Sequence, residues 1–130
     1  MSQAHMSETT KLLGYPDDAR LLLVNADDFG MYRATNEAIF RAFNEGIVRS
    51  TSLMMPCPGT SRAIQLLEEN PDMRFGVHLV VVRDYDYPWE PLTPKEKVPS
   101  LLDENGYFYC NDRQPEMLER AKLAELEVEF

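Results

Sequence analysis

Apolar and polar positions alternate along this chain in a rhythm that predicts strand, helix, strand, helix, strand. Leu21-Leu22-Leu23-Val24-Asn25-Ala26 is a short, nearly continuous apolar run that stops at Asp27-Asp28-Phe29-Gly30, the pattern of a buried strand ending in a turn. From about Thr35, Ile39, Phe40 and Phe43 recur at helical spacing, and Gly46 stands where a left-handed C-terminal cap is expected. Ile47 to Met55 reads as a second strand, and Thr60 is placed to cap a helix carrying Ala63, Ile64, Leu66 and Leu67 that ends before Pro71. Phe75-Gly76-Val77-His78-Leu79-Val80-Val81-Val82 reads as a third buried strand. Short apolar strands alternating with helices indicate an α/β fold built on a parallel sheet.

The rhythm stops between residues 83 and 113, which fill with Asp, Tyr and Pro and read as one long loop. Pro115 then opens a last helix predicted to run to Phe130, with Met117, Ala121, Ala124 and Val128 on one face and Leu123, Leu126 and Phe130 on another. Two apolar stripes on one helix need two partners, so self-association into a homo-oligomer is expected. Residues 1–19 are polar and aperiodic and read as a disordered tail, leaving residues 20–130 as the folded domain.

Composition narrows the function classes. A net charge of -9 argues against a nucleic-acid partner, which needs a positive face to displace counterions from phosphates. No apolar run has the length of a membrane-spanning helix, and the first residues lack the apolar core of a secretory signal. Cys57 and Cys110 sit in no CxxC or Cys/His cluster and are expected as free thiols in a reducing, cytoplasmic compartment.

The candidate chemistry lies at the strand ends. In parallel α/β folds ligands bind beyond the carboxyl ends of the strands, which is where Asp27, Asp28 and His78 fall. A carboxylate and a neutral imidazole suit a divalent ion such as Mg²⁺ or Zn²⁺, with Asp27 free to act as a general base on a metal-activated water. The same residues have blander readings: an Asx-type turn for Asp27-Asp28, and a core histidine bonded to a carbonyl for His78. Tyr85, Tyr87 and Trp89 in the long loop offer an aromatic platform for a sugar ring, or else pin that loop to the core.

Taken together, the NADDFG turn, the helix start from Asn36 to Ile39, the GIVRSTSLM second strand and the GVHL third strand resemble the N-terminal half of the YdjC/ChbG-type carbohydrate deacetylases, over about residues 20 to 82. The resemblance implies metal-dependent removal of acetyl groups from N-acetylated sugars such as chitin oligosaccharides, on a (β/α) barrel-like fold that is often dimeric. Position by position, it makes Asp27 the general base and Asp28 and His78 metal ligands. It also implies a third ligand, a histidine in a segment following the helix with which this chain ends. The chain is therefore expected to bind metal weakly and to act either as part of a longer deacetylase or as a catalytically incomplete metal-binding or oligomerising module. A receiver-like signalling domain is disfavoured, because the second and third strands do not end on an aspartate.

Overall fold

The computed structural model describes residues 8–16, 18–84 and 87–130. A short helix α1 (Glu8–Leu12) precedes β1 (Val24–Phe29), α2 (Arg33–Glu45), β2 (Val48–Met54), α3 (Thr60–Glu69) and β3 (Arg74–His78). After β3 come β4 (Val82–Arg83), two 3-10 turns, β5 (Tyr109–Cys110), a third 3-10 turn, α4 (Gln114–Arg120) and α5 (Leu123–Glu129). The strands form a parallel sheet in the order β1-β2-β3 and a separate parallel pair β4-β5. The α/β architecture with parallel strands alternating with helices is the one expected. The tail is corrected in part, since α1 lies within it and buries Thr10.

The first core is the helix-facing side of the main sheet. Phe29, Leu53, Ile39, Ala63, Leu66 and Met73 are buried there, with Phe40 and Phe43 packed against them. Each fully buried side chain of Phe, Leu or Ile size contributes about 1.5–3 kcal/mol, which is what fixes α2 and α3 on the sheet. Asn36 is wholly buried on α2 and is satisfied at both ends: it accepts from Gly30 N at 2.7 Å and donates to Gly59 O at 2.8 Å. It thereby ties the turn after β1 to the loop before α3. Gly30 has φ +100°, and a Cβ there would stand 2.6 Å from Met54 O, so the turn accepts only glycine without strain.

Several local expectations are corrected. Leu21, Leu22 and Leu23 precede the strand and are exposed, because pairing with β2 begins only at Val24 opposite Val48. β3 is an exposed edge rather than a buried strand, with Phe75 and Val77 more than half exposed. Gly46 is extended, not left-handed, and its requirement is steric, since a Cβ would meet Ala42 O at 2.7 Å. Thr60 is the first residue of α3 rather than its cap, and its hydroxyl reaches back to the carbonyls of Met54 and Cys57 at 2.7 Å each.

The described part of the long loop, from Tyr87 to Arg113, is pinned to the molecule as the wall of a second core. Trp89, Val98, Leu101, Leu102 and Phe108 bury themselves there with Met54, Cys57 and Val80. The backbone is held by 3-10 turns and by Arg83, whose Nε donates to Phe108 O at 2.7 Å. The single helix predicted from Pro115 is broken at Ala121 (φ -59°, ψ 129°) and at the extended Lys122. Ser100 bonds across the break: its Oγ accepts from Lys122 N at 3.0 Å, and its N–H donates to Glu125 Oε2 at 2.7 Å. Met117 is buried and Leu126 packs on the second core, while Leu123, Val128 and Phe130 remain exposed.

Candidate active site at the strand ends

β1 presents its two carboxylates through an irregularity in its own ladder. Ala26 pairs with Thr51 and Phe29 with Leu53, so β1 spends one more residue than β2 over this stretch. Asp28 takes up the extra residue with φ 71°, a left-handed conformation that aspartate tolerates better than most side chains. A regular strand sends neighbouring side chains to opposite faces, and a bulge re-aims one of them. Both carboxylates consequently reach one cluster on the β2-β3 side. Backbone strain of this kind is held where surrounding structure over-determines it, commonly at functional sites.

Ser52 is the centre of that cluster. Its hydroxyl donates to Asp27 Oδ1 at 2.7 Å and lies 3.2 Å from His78 Nδ1, while Asp28 Oδ1 is 3.4 Å from the same ring nitrogen. His78 reaches this position as the last residue of β3, in register with Met54 at the end of β2. Asn25 Nδ2 donates to Asp27 Oδ1 at 2.6 Å, and Ser50 Oγ donates in turn to Asn25. A polar row therefore runs along the face of β1 and β2 opposite the helices. It fixes Asp27 through Oδ1 and leaves Oδ2 outside the row.

Asp28 and His78 are each about one-third to one-half exposed, on a cavity of about 360 Å³ also lined by Asp84, Trp89, Asn111 and Gln114. Two ligands each about 2.1 Å from one ion at a tetrahedral angle stand roughly 3.4 Å apart, so the observed separation of Asp28 Oδ1 and His78 Nδ1 suits a shared divalent ion. Among the described residues, no group of three or more His, Cys, Asp or Glu side chains comes together to hold a metal. The described residues thus offer two donors whose spacing fits one ion. Cys57 is no nucleophile: burial, then the charges of Asp28 and Asp84, push its thiol up to about 12, and it stays protonated.

The aromatic residues divide. Trp89 is 3% exposed and belongs to the second core, whereas Tyr87 is half-exposed with its ring centroid 4.8 Å from that of Tyr32. Tyr85 lies outside the described residues. Sequence reasoning brought Asp27, Asp28 and His78 to one rim and missed Asn25, Ser52 and Tyr32.

Comparison with known proteins places this geometry in a family. Residues 21–130 match the family of YdjC-like proteins. A carbohydrate deacetylase of Thermoanaerobacter pseudethanolicus is 36% identical over 111 residues, which cover 85% of this chain and 42% of that protein. A chitooligosaccharide deacetylase of Yersinia enterocolitica is 40% identical over 87 residues, covering 67% of this chain and 31% of that one. The crystal structure of a proposed cellobiose-phosphate cleavage protein from Enterococcus faecalis superposes with a TM-score of 0.72 at 33% identity, over 82% of this chain and 39% of the other. The chain spans less than half the length of each of these relatives. With the match extending from the first strand to the last residue, the chain belongs to the YdjC-like protein family.

Proposed function

We propose that this chain carries the general base and two metal ligands of a metal-dependent carbohydrate deacetylase site acting on N-acetylated sugars of the chitooligosaccharide kind. The observation that carries the reading is the convergence of Asp27, Asp28 and His78 through Ser52 at the ends of β1 and β3. The relatives' deacetylase names support the reaction class. Asp28 Oδ1 and His78 Nδ1 would hold the ion, either Mg²⁺ or Zn²⁺. A divalent ion there supplies Lewis acidity, polarising the acetyl carbonyl and lowering the pKa of water. Asp27, oriented by Asn25 and Ser52, offers Oδ2 to the proton of the attacking water. The water oxygen bonds to the carbonyl carbon, and the C–N bond breaks as the proton taken up by Asp27 passes to the departing nitrogen, so that the free amine and acetic acid (acetate at neutral pH) leave. The Cys57 thiol, buried and outside any disulfide, supports a cytoplasmic setting.

A second reading is a metal-binding or oligomerising module without turnover. It is supported by the two-donor metal set and by the apolar side chains left exposed on β3 and α5. Acetate release from N,N′-diacetylchitobiose, with Zn²⁺ or Mg²⁺ supplied, separates the two. The deacetylase reading expects release that Asp27→Asn lowers on the order of 10²- to 10⁴-fold while metal binding persists. Unchanged turnover in Asp27→Asn assigns the base elsewhere. Metal binding without acetate release, with sedimentation that depends on concentration, selects the module.

A further inference from the structure

The cavity that holds Asp28 and His78 has a second set of polar groups, delivered by the smaller sheet. β4 and β5 run parallel with Arg83 opposite Cys110, so the next residues, Asp84 and Asn111, emerge side by side at their carboxyl ends. Both line the same cavity as Asp28 and His78. The two sheets therefore direct strand ends from β1, β3, β4 and β5 into one space, although the smaller sheet lies in the segment that the sequence presents as a loop.

Asn111 Nδ2 donates to Asp84 Oδ1. This pairing spends one lone-pair site of the carboxylate and one amide hydrogen, leaving Asp84 Oδ2 and Asn111 Oδ1 without partners among the described residues. A fixed carboxylate beside a fixed amide offers acceptors and a donor in a set orientation, which suits the adjacent hydroxyls of a pyranose, each both donor and acceptor. Trp89, buried in the second core, closes one wall of the same cavity. Gln114 adds a further amide at the rim.

We propose that Asp84 and Asn111 are sugar-binding residues that grip ring hydroxyls and so hold the ring against Asp27, Asp28 and His78. The inference rests on the carbohydrate reading above and deepens it, because neither residue serves the metal or the proton transfer. The pair has a merely structural alternative, a clasp between the ends of β4 and β5, and the test separates the two.

The probe is N,N′-diacetylchitobiose, titrated into the full ¹⁵N-labelled chain and followed by amide shifts, for the parent and for Asp84→Ala, Asp84→Asn and Asn111→Ala, with thermal midpoints alongside. Hydrogen bonds to charged groups are strong enough that Asp84→Ala should bind about tenfold or more weakly. Asp84→Asn keeps the shape and an acceptor for Asn111, so it should hold the parent's midpoint while still binding several-fold more weakly. It keeps the test decisive if Asp84→Ala fails to fold. Affinities within twofold of the parent in Asp84→Asn and Asn111→Ala would reduce the pair to a clasp and overturn the inference, leaving the metal and base assignments standing. A parent that binds no diacetylchitobiose would remove the substrate reading and the inference with it, whereas the metal titration would be untouched.

Discussion

At the scale of single residues, the site depends on side chains that are fully committed to one geometry. Asn36 is the clearest case: its buried amide serves one backbone group at the end of β1 and another before α3. Asn36→Ala leaves the Gly30 N–H and the Gly59 carbonyl without that partner, and the expected cost is about 1–3 kcal/mol in equilibrium denaturant unfolding. A cost near zero would mean that water replaces the amide freely and that Asn36 does not position the turn. The legibility of residues followed chemistry. Asp27, Asp28 and His78 were readable because each interrupts or ends an apolar run, a contrast visible in one dimension. Ser52 was not, because its role depends on Asp27 and His78 arriving from two other strands, and no local pattern announces that meeting. The left-handed turn at Asp28 was equally hidden, since glycine at position 30 accounts for a turn without it.

At the scale of elements, helical and strand periodicity located β1, α2, β2 and α3 to within a few residues, because each buries one face on the first core. It failed from residue 83 onward, where the core is built from short 3-10 turns and isolated apolar residues with no period to read. The broken terminal helix failed for a related reason, since Ser100, far away in sequence, accepts the Lys122 N–H that a continuous helix would have bonded within itself. Two predictions belong here. Trp89→Ala should destabilise the protein by about 3–5 kcal/mol, as expected for deleting a buried aromatic, whereas Tyr87→Ala should cost far less. Equal, small effects in thermal or denaturant unfolding would mean that Trp89 does not pin its segment to the second core. The second concerns Asp103, whose side chain is almost fully buried. Burial alone would raise its pKa, but N–H donors from Tyr107 and Asn105 and the Arg83 guanidinium at 3.2 Å outweigh it and hold the carboxyl below its usual range. A depressed native pKa gives stability that is present above the unfolded value near about 4 and is lost as pH falls through the lower native value. Unfolding measured from about pH 5 downward should therefore show a shallower acid loss in Asp103→Asn than in the parent, and identical slopes would remove Asp103 as a contributor.

At the scale of the whole molecule, the larger sheet carries Asp27, Asp28 and His78, and the smaller sheet adds Asp84 and Asn111 beside the second core. The cavity where strand ends from both sheets meet gives the YdjC-like family match its physical content. The main sheet ends at β3, whose unpaired edge and exposed Phe75 and Val77 are the kind of surface that proteins ordinarily cover. None of this gives the cluster a chemistry unless Asp28 and His78 act together on one ion, and that is the central claim. Calorimetric titration of the full chain with Zn²⁺ and with Mg²⁺, repeated for Asp28→Ala and His78→Ala, tests it most directly. The account predicts one weak site per chain in the parent, weak because two protein ligands leave the remaining positions to water, and a loss of about tenfold or more in each variant. Equal affinity in all three proteins would contradict it.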